Sequence, residues 1–254
     1  MAESRGKTVE RVGFLDEVRG FAILCMVVYH AAYDLVSLFH INIPVFYSPW
    51  LNAVRDIFAG VFILISGMVS RFSRSNIRRG FWCLCLGLLL TAVTWLVLPA
   101  ERIIFGILHL LGICMLLFGL LQKWMDRIPA GVGVGVFGLL FIAGYGLPHG
   151  YIGVLGVPLI SLPASWYETD WLFWLGLHGE SFFSSDYFPL IPWGLLFMAG
   201  TYIGIYLRRK CLPTFFYRTH CRFLAACGRH TLWIYLIHQP VLLGIFWLIG
   251  EVFM

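Results

Sequence analysis

Apolar runs of about 18 to 27 residues follow one another along the chain, each near the length that crosses ~30 Å of hydrocarbon. They lie at residues 13–39, 50–71, 79–98, 103–122, 130–147, 189–207 and 228–250. The pattern predicts an all-α, polytopic transmembrane helix bundle of about seven spans. Gly and Pro punctuate most ends, as at Pro99, Pro129, Pro148 and Pro189. The fifth run, AGVGVGVFGLLFIAGYGL, is Gly-rich and suits close backbone packing between helices.

Polar positions set the orientation. Of the 18 Lys and Arg, 16 fall on one side of the predicted spans: before the first (Arg5, Lys7, Arg11) or at its start (Arg19), after the second and fourth, and between the sixth and seventh. Only Arg55 and Arg102 lie elsewhere. The positive-inside rule then makes the N-terminus cytoplasmic and the C-terminus external. The segment 148–188 becomes a long outer segment with no Lys or Arg, carrying Glu168, Asp170, Glu180 and Asp186 among Trp166, Tyr167, Trp171 and Trp174. Its stretch YIGVLGVPLISLP is too short and Pro-broken to span, which predicts a re-entrant or interfacial piece.

Composition agrees with a multi-pass membrane protein: 60% hydrophobic, 12% charged, 254 residues. The polar, basic start runs into a span too long for a signal-peptide core, so the first helix is expected to stay. No Walker-type loop, dinucleotide fingerprint or Ser-nucleophile elbow is present. None of the seven cysteines falls in an outer loop and no pair has a zinc-like spacing, so neither a disulfide framework nor a metal site is expected.

The first run, GFLDEVRGFAILCMVVYHAAYDLVSLF, carries an ionisable stripe. At about 100° per residue, Asp16, Arg19, His30 and Asp34 fall within an arc of roughly 60°. Ionisable groups inside the bilayer are costly unless they face partners or water, so they mark a functional pathway. His30 lies about 16 Å deeper than Arg19, near the midplane. Asp34 is one turn further on, where a carboxylate bonded to one ring nitrogen would raise the basicity of the other. Arg55 and Asp56 open the second run at about the depth of Asp34, either closing an ion-pair network there or pairing only with each other. His238 is expected near His30 in depth, serving either chemistry or the carbonyl left without a partner by Pro240. His109 lies shallower and is the weaker candidate. Arg71, Arg74, Arg78 and Arg79 form a cluster that could grip phosphates or simply record topology.

The run from Leu15 to Leu35 resembles the first helix of transmembrane acyltransferases, in particular bacterial relatives of the heparan-alpha-glucosaminide N-acetyltransferase catalytic domain and, more distantly, the membrane acyltransferase-3 superfamily. Arg19 with His30 fits the superfamily's Arg, ten residues, His motif, and Arg71 with Arg74 fits its Arg-x-x-Arg motif. FILISGMVSRFSR, FGILHLLG, FPLIPWG and GRHTLWIYLIHQPV are similar to the smaller bacterial family in the same order. The resemblance implies one integral membrane acyltransferase domain over residues 1–254, in the inner membrane of a bacterium. It implies transfer of acetyl from cytoplasmic acetyl-CoA to an outer acceptor, an amino sugar or other glycan amine or hydroxyl. His30 would be the catalytic histidine, with Asp34 and Arg19 beside it. Arg71, Arg74 and Arg78 would hold the donor, while His238, His109, Asp56 and Arg55 would serve the substrate or support the site.

Acetyl-CoA, the acceptor and membrane lipid are the expected partners, with a dimer compatible and no nucleic acid or metal. The rival readings are a transporter or receptor with a buried polar pathway, and a bis-histidine haem carrier using His30 and His238. A retinal-type pigment is disfavoured because Lys7, Lys123 and Lys210 all lie outside the spans.

Overall fold

The computed structural model describes residues 12–154 and 156–253. Arg5, Lys7 and Arg11 of the basic start lie outside them. Among the described residues seven helices are long and apolar enough to cross a membrane. They are α1 (Gly13–Ser37), α2 (Pro49–Ser70), α3 (Asn76–Val97), α4 (Ile107–Met125), α5 (Ala130–Gly144), α6 (Leu190–Arg208) and α8 (Thr231–Phe253). A short amphipathic helix, α7 (Arg222–Arg229), precedes α8. The protein is all-α and polytopic, as the hydrophobic pattern predicts.

The chain divides into two compact units, with the boundary inside α2 between Phe62 and Ile63. The first unit contains α1, the opening part of α2, α7 and α8; the second runs from Ile63 to Cys211. In the first unit α1 packs against α7 and α8. Glycine permits that approach: a Cβ on Gly228 would lie 1.7 Å from the Asp16 carbonyl oxygen, and one on Gly20 would lie 1.9 Å from that of Leu224. Only hydrogen fits there.

In the second unit α3 packs on α4, and α6 packs on both α4 and α5. The rest of α2 meets α6 equally closely, since a Cβ on Gly67 would lie 2.1 Å from the Phe197 carbonyl oxygen. The Gly-rich α5 packs closely on α6, but not through every glycine. Gly135 and Gly138 face open space, and Gly133 meets the Tyr202 ring rather than a backbone. Small residues permit close packing only where another helix is already placed to use it.

The segment after α5, expected to be re-entrant or interfacial, opens with two strands. Tyr151–Val154 (β1) and Val157–Ser161 (β2) form an antiparallel hairpin, with Tyr151 opposite Ser161 and a bulge at Ile152/Gly153. β-Branched residues on either side of Gly156, which adopts a positive φ of 95°, favour a tight reversal over a helix. The remainder is tied down by local bonds. Asp170 Oδ1 accepts from the Gly179 amide at 2.8 Å, and the Tyr187 hydroxyl donates to the Phe173 carbonyl at 2.6 Å. Burial pushes the Tyr187 phenol above its ordinary range, because its charged form would lose solvation.

Candidate active site

The polar stripe of α1 has a separate partner at each level of the first unit. Near the start of α1, Glu17 is 6% exposed, and its carboxylate accepts the backbone amides of His220 and Cys221, the latter at 2.9 Å. Glu17 therefore caps the turn that leads into α7. It sits beside Asp16 in sequence, and its only local signal is a second carboxylate at the start of an apolar run. Two residues on, Arg19 Nη2 donates to the buried Thr231 hydroxyl at 2.9 Å, and its guanidinium lies 5.7 Å from the Phe62 ring centroid. Arg19 thus joins α1 to the start of α8.

His30 and His238 come together deeper in the unit. Their ring centroids are 5.0 Å apart, edge to face with an interplanar angle of 84°. His30 Nδ1 lies 3.1 Å from the Met26 carbonyl oxygen, and His238 Nδ1 lies 2.6 Å from that of Tyr235. A carbonyl can only accept, so each neutral ring carries its proton on Nδ1 and its lone pair on Nε2. Both imidazoles are thus held in the same tautomer by their own helices. The expectation that a carboxylate fixes the His30 tautomer is corrected here, since the Met26 carbonyl does so. His238 does not serve the carbonyl whose amide partner Pro240 removes, because that carbonyl belongs to Leu236, four residues back.

Asp34 is completely buried, and its Oδ1 accepts from Gln239 Nε2 at 2.7 Å. The residue that follows His238 is thereby anchored to α1, one turn from His30. Gln239 was not singled out by sequence reasoning, because a lone amide in an apolar run has no distinguishing spacing. Arg55 and Asp56 pair with each other at 2.8 Å, and Arg55 lies 6.0 Å from the Tyr29 ring centroid. Tyr29 in turn stands edge-on to His30 at 5.8 Å. The pair therefore borders the histidines through an aromatic ring.

The candidates of the second unit are engaged differently. His109 is 3% exposed and sits in the first turn of α4. Its Nδ1 accepts from the Gly106 amide at 3.2 Å, which puts the proton on Nε2, 3.2 Å from the Thr91 hydroxyl. Asp186 Oδ2 accepts from the Ile107 amide at 3.1 Å in the same helix start. His109 and Asp186 cap α4, and both His109 nitrogens are engaged.

Arg71 is also buried. Its Nε donates to the Thr201 carbonyl at 2.8 Å, Nη1 pairs with Asp126, and the guanidinium lies 4.8 Å from the Phe118 centroid. Of the donor-binding candidates Arg71 is therefore the one already engaged by internal partners, Asp126 and the Thr201 carbonyl. Arg74, Arg78 and Arg79 are exposed, so theirs are the guanidinium groups of this cluster open to a large anion.

The long apolar spans, two imidazoles among them, define an integral multi-pass membrane protein. The family model described as heparan-alpha-glucosaminide N-acetyltransferase, catalytic, matches residues 11–240. The chain belongs to that family, and so to a family of membrane acetyltransferases. Neither the curated proteins nor the solved structures give a match.

Proposed function

We propose that the protein transfers an acetyl group from acetyl-CoA to an amine or hydroxyl of an extracytoplasmic acceptor, an amino sugar or other glycan, and that His30 is its catalytic histidine. Family membership supports the reaction class. The observation that carries the site is the fixed tautomer of His30, whose Nδ1 proton is given to Met26. That leaves the Nε2 lone pair as the basic atom of a neutral ring.

In this reading Nε2 removes the acceptor's proton as its oxygen or nitrogen attacks the thioester carbonyl, and coenzyme A leaves as the thiolate. In the covalent variant Nε2 itself takes the acetyl group and then yields it to the acceptor. His238 packs against His30 and steadies the imidazolium formed in either route. Asp34 acts as a positioning residue by holding Gln239, and Arg19 by joining α1 to α8. Arg74 and Arg78 bind the donor's phosphates on the cytoplasmic side, where positive-inside bias puts their loop. The location in this reading is a bacterial cytoplasmic membrane, with the basic loops on its inner side.

The haem alternative is disfavoured by geometry. Axial imidazoles must stand on opposite faces of a porphyrin with their nitrogens directed at one iron, and edge-to-face rings 5.0 Å apart leave no space for one.

Proteoliposomes test the reading. Radiolabelled acetyl-CoA is supplied on the side of the basic loops, and a panel of amino-sugar and hydroxyl acceptors on the other. Labelled acceptor is expected on the far side. Intact acetyl-CoA after prolonged incubation with every acceptor would overturn the assignment.

A further inference from the structure

One face of α7 is turned away from the protein. The small residues of this helix point inward: Ala225 and Gly228 are buried, and the backbone of Leu224 and Gly228 lies against Gly20 and Asp16 of α1. At about 100° per residue, Arg222, Phe223, Ala226 and Arg229 fall on the other arc. Arg222 and Arg229 are exposed there, and Phe223 beside them is 66% exposed.

Charge and position indicate what covers this face. Arg218, on the approach to α7, is also exposed, and no carboxylate among the described residues pairs with Arg218, Arg222 or Arg229. The sequence holds no Asp or Glu between Tyr187 and Gly250. Glu17, the acid that meets this segment, is buried and engaged by the His220 and Cys221 amides. The face is therefore cationic, which favours an anion and opposes pairing with a second copy of itself.

Two spanning helices open beside it. α8 follows α7 directly, and a Cβ on Gly13, the first residue of α1, would lie 2.9 Å from the Arg218 carbonyl oxygen. The face thus stands at the level of the lipid head groups. Trp233, 63% exposed in the first turn of α8, adds a second ring at that level. Guanidinium groups flanked by exposed rings at a membrane edge match an amphiphile, with the charges at the phosphate and the rings at the acyl boundary. A free phosphate would leave Phe223 and Trp233 in water.

We propose that α7 and its approach form a site for an anionic phospholipid of the leaflet on the side of the basic loops. Arg218, Arg222 and Arg229 hold the phosphate, and Phe223 and Trp233 lie against the chains. The site is independent of the acetyl-transfer reading, which uses none of these residues.

Native mass spectrometry of the full-length protein, titrated in detergent with phosphatidylglycerol, tests it. Arg222→Gln and Arg229→Gln are each expected to weaken the first binding event about fivefold, whereas Arg208→Gln, an equal loss of charge on α6, is expected to leave it unchanged. Both arginines on α7 are exposed, and if one variant does not fold the other decides. Equal weakening by Arg208→Gln would mean diffuse charge, equal affinity for phosphatidylcholine an apolar surface alone, and displacement by inorganic phosphate a simple anion site. Each of these results, or unchanged affinity in the α7 variants, would overturn the proposal.

Discussion

His30 and His238 in the first unit contrast with His109 in the second. All three are histidines on apolar helices, and a hydropathy profile cannot separate them. Their tautomers do. His30 and His238 each give the Nδ1 proton to a carbonyl of their own helix and keep a lone pair on Nε2. His109 receives the Gly106 amide on Nδ1 and directs Nε2 to Thr91, so both of its nitrogens serve the start of α4. A histidine whose two nitrogens serve a helix end acts structurally, whereas one that donates from Nδ1 keeps a basic Nε2 in its neutral form. Arg71 and Arg74 repeat the contrast: three residues apart, one is occupied by internal partners and the other is exposed.

The largest stability effect is expected on the occupied side. Arg71→Ala should cost about 2 to 4 kcal/mol, because two charge-assisted hydrogen bonds are lost together. Arg74→Ala should fall within about 0.5 kcal/mol of wild type, and thermal unfolding in detergent compares the two. Equal losses would dissolve the contrast between them. His238→Ala should lower turnover about tenfold, equivalent to about 1.4 kcal/mol in the barrier, while the melting temperature stays near wild type. A drop in stability matching the drop in rate would make His238 a packing residue.

Smaller still, His109→Ala should remove a cap worth about 1 kcal/mol and leave turnover per folded molecule unchanged. The smallest effect concerns pH. Because the folded-state pKa of Tyr187 is raised by burial, its contribution to stability is complete below the unfolded value of about 10 and is lost as pH rises above it. Alkaline unfolding followed by tyrosinate absorbance should therefore begin later in Tyr187→Phe than in wild type.

The spans were legible in the sequence because twenty apolar residues in a row leave a membrane few alternatives. The stripe on α1 was legible because helical periodicity puts Asp16, Arg19, His30 and Asp34 on one face. Their partners were not. Thr231 and Gln239 lie more than 200 residues away in sequence from Arg19 and Asp34, and tertiary pairing at that separation leaves no local pattern. The strand conformation at 151–161 was not legible because a short apolar run with Gly and Pro fits several conformations until its packing is known. The internal partners of Arg71 were not legible because a motif fixes residue type, while the positions of Asp126 and Thr201 decide what its guanidinium meets.

The most direct test is turnover of radiolabelled acetyl-CoA by purified, folded His30→Gln and His109→Gln proteins side by side. Loss of about 10² to 10⁴ in rate is expected for His30→Gln, the range for removing a general base, with His109→Gln retaining wild-type turnover per folded molecule. Wild-type turnover by His30→Gln would contradict the assignment of chemistry to the His30 lone pair.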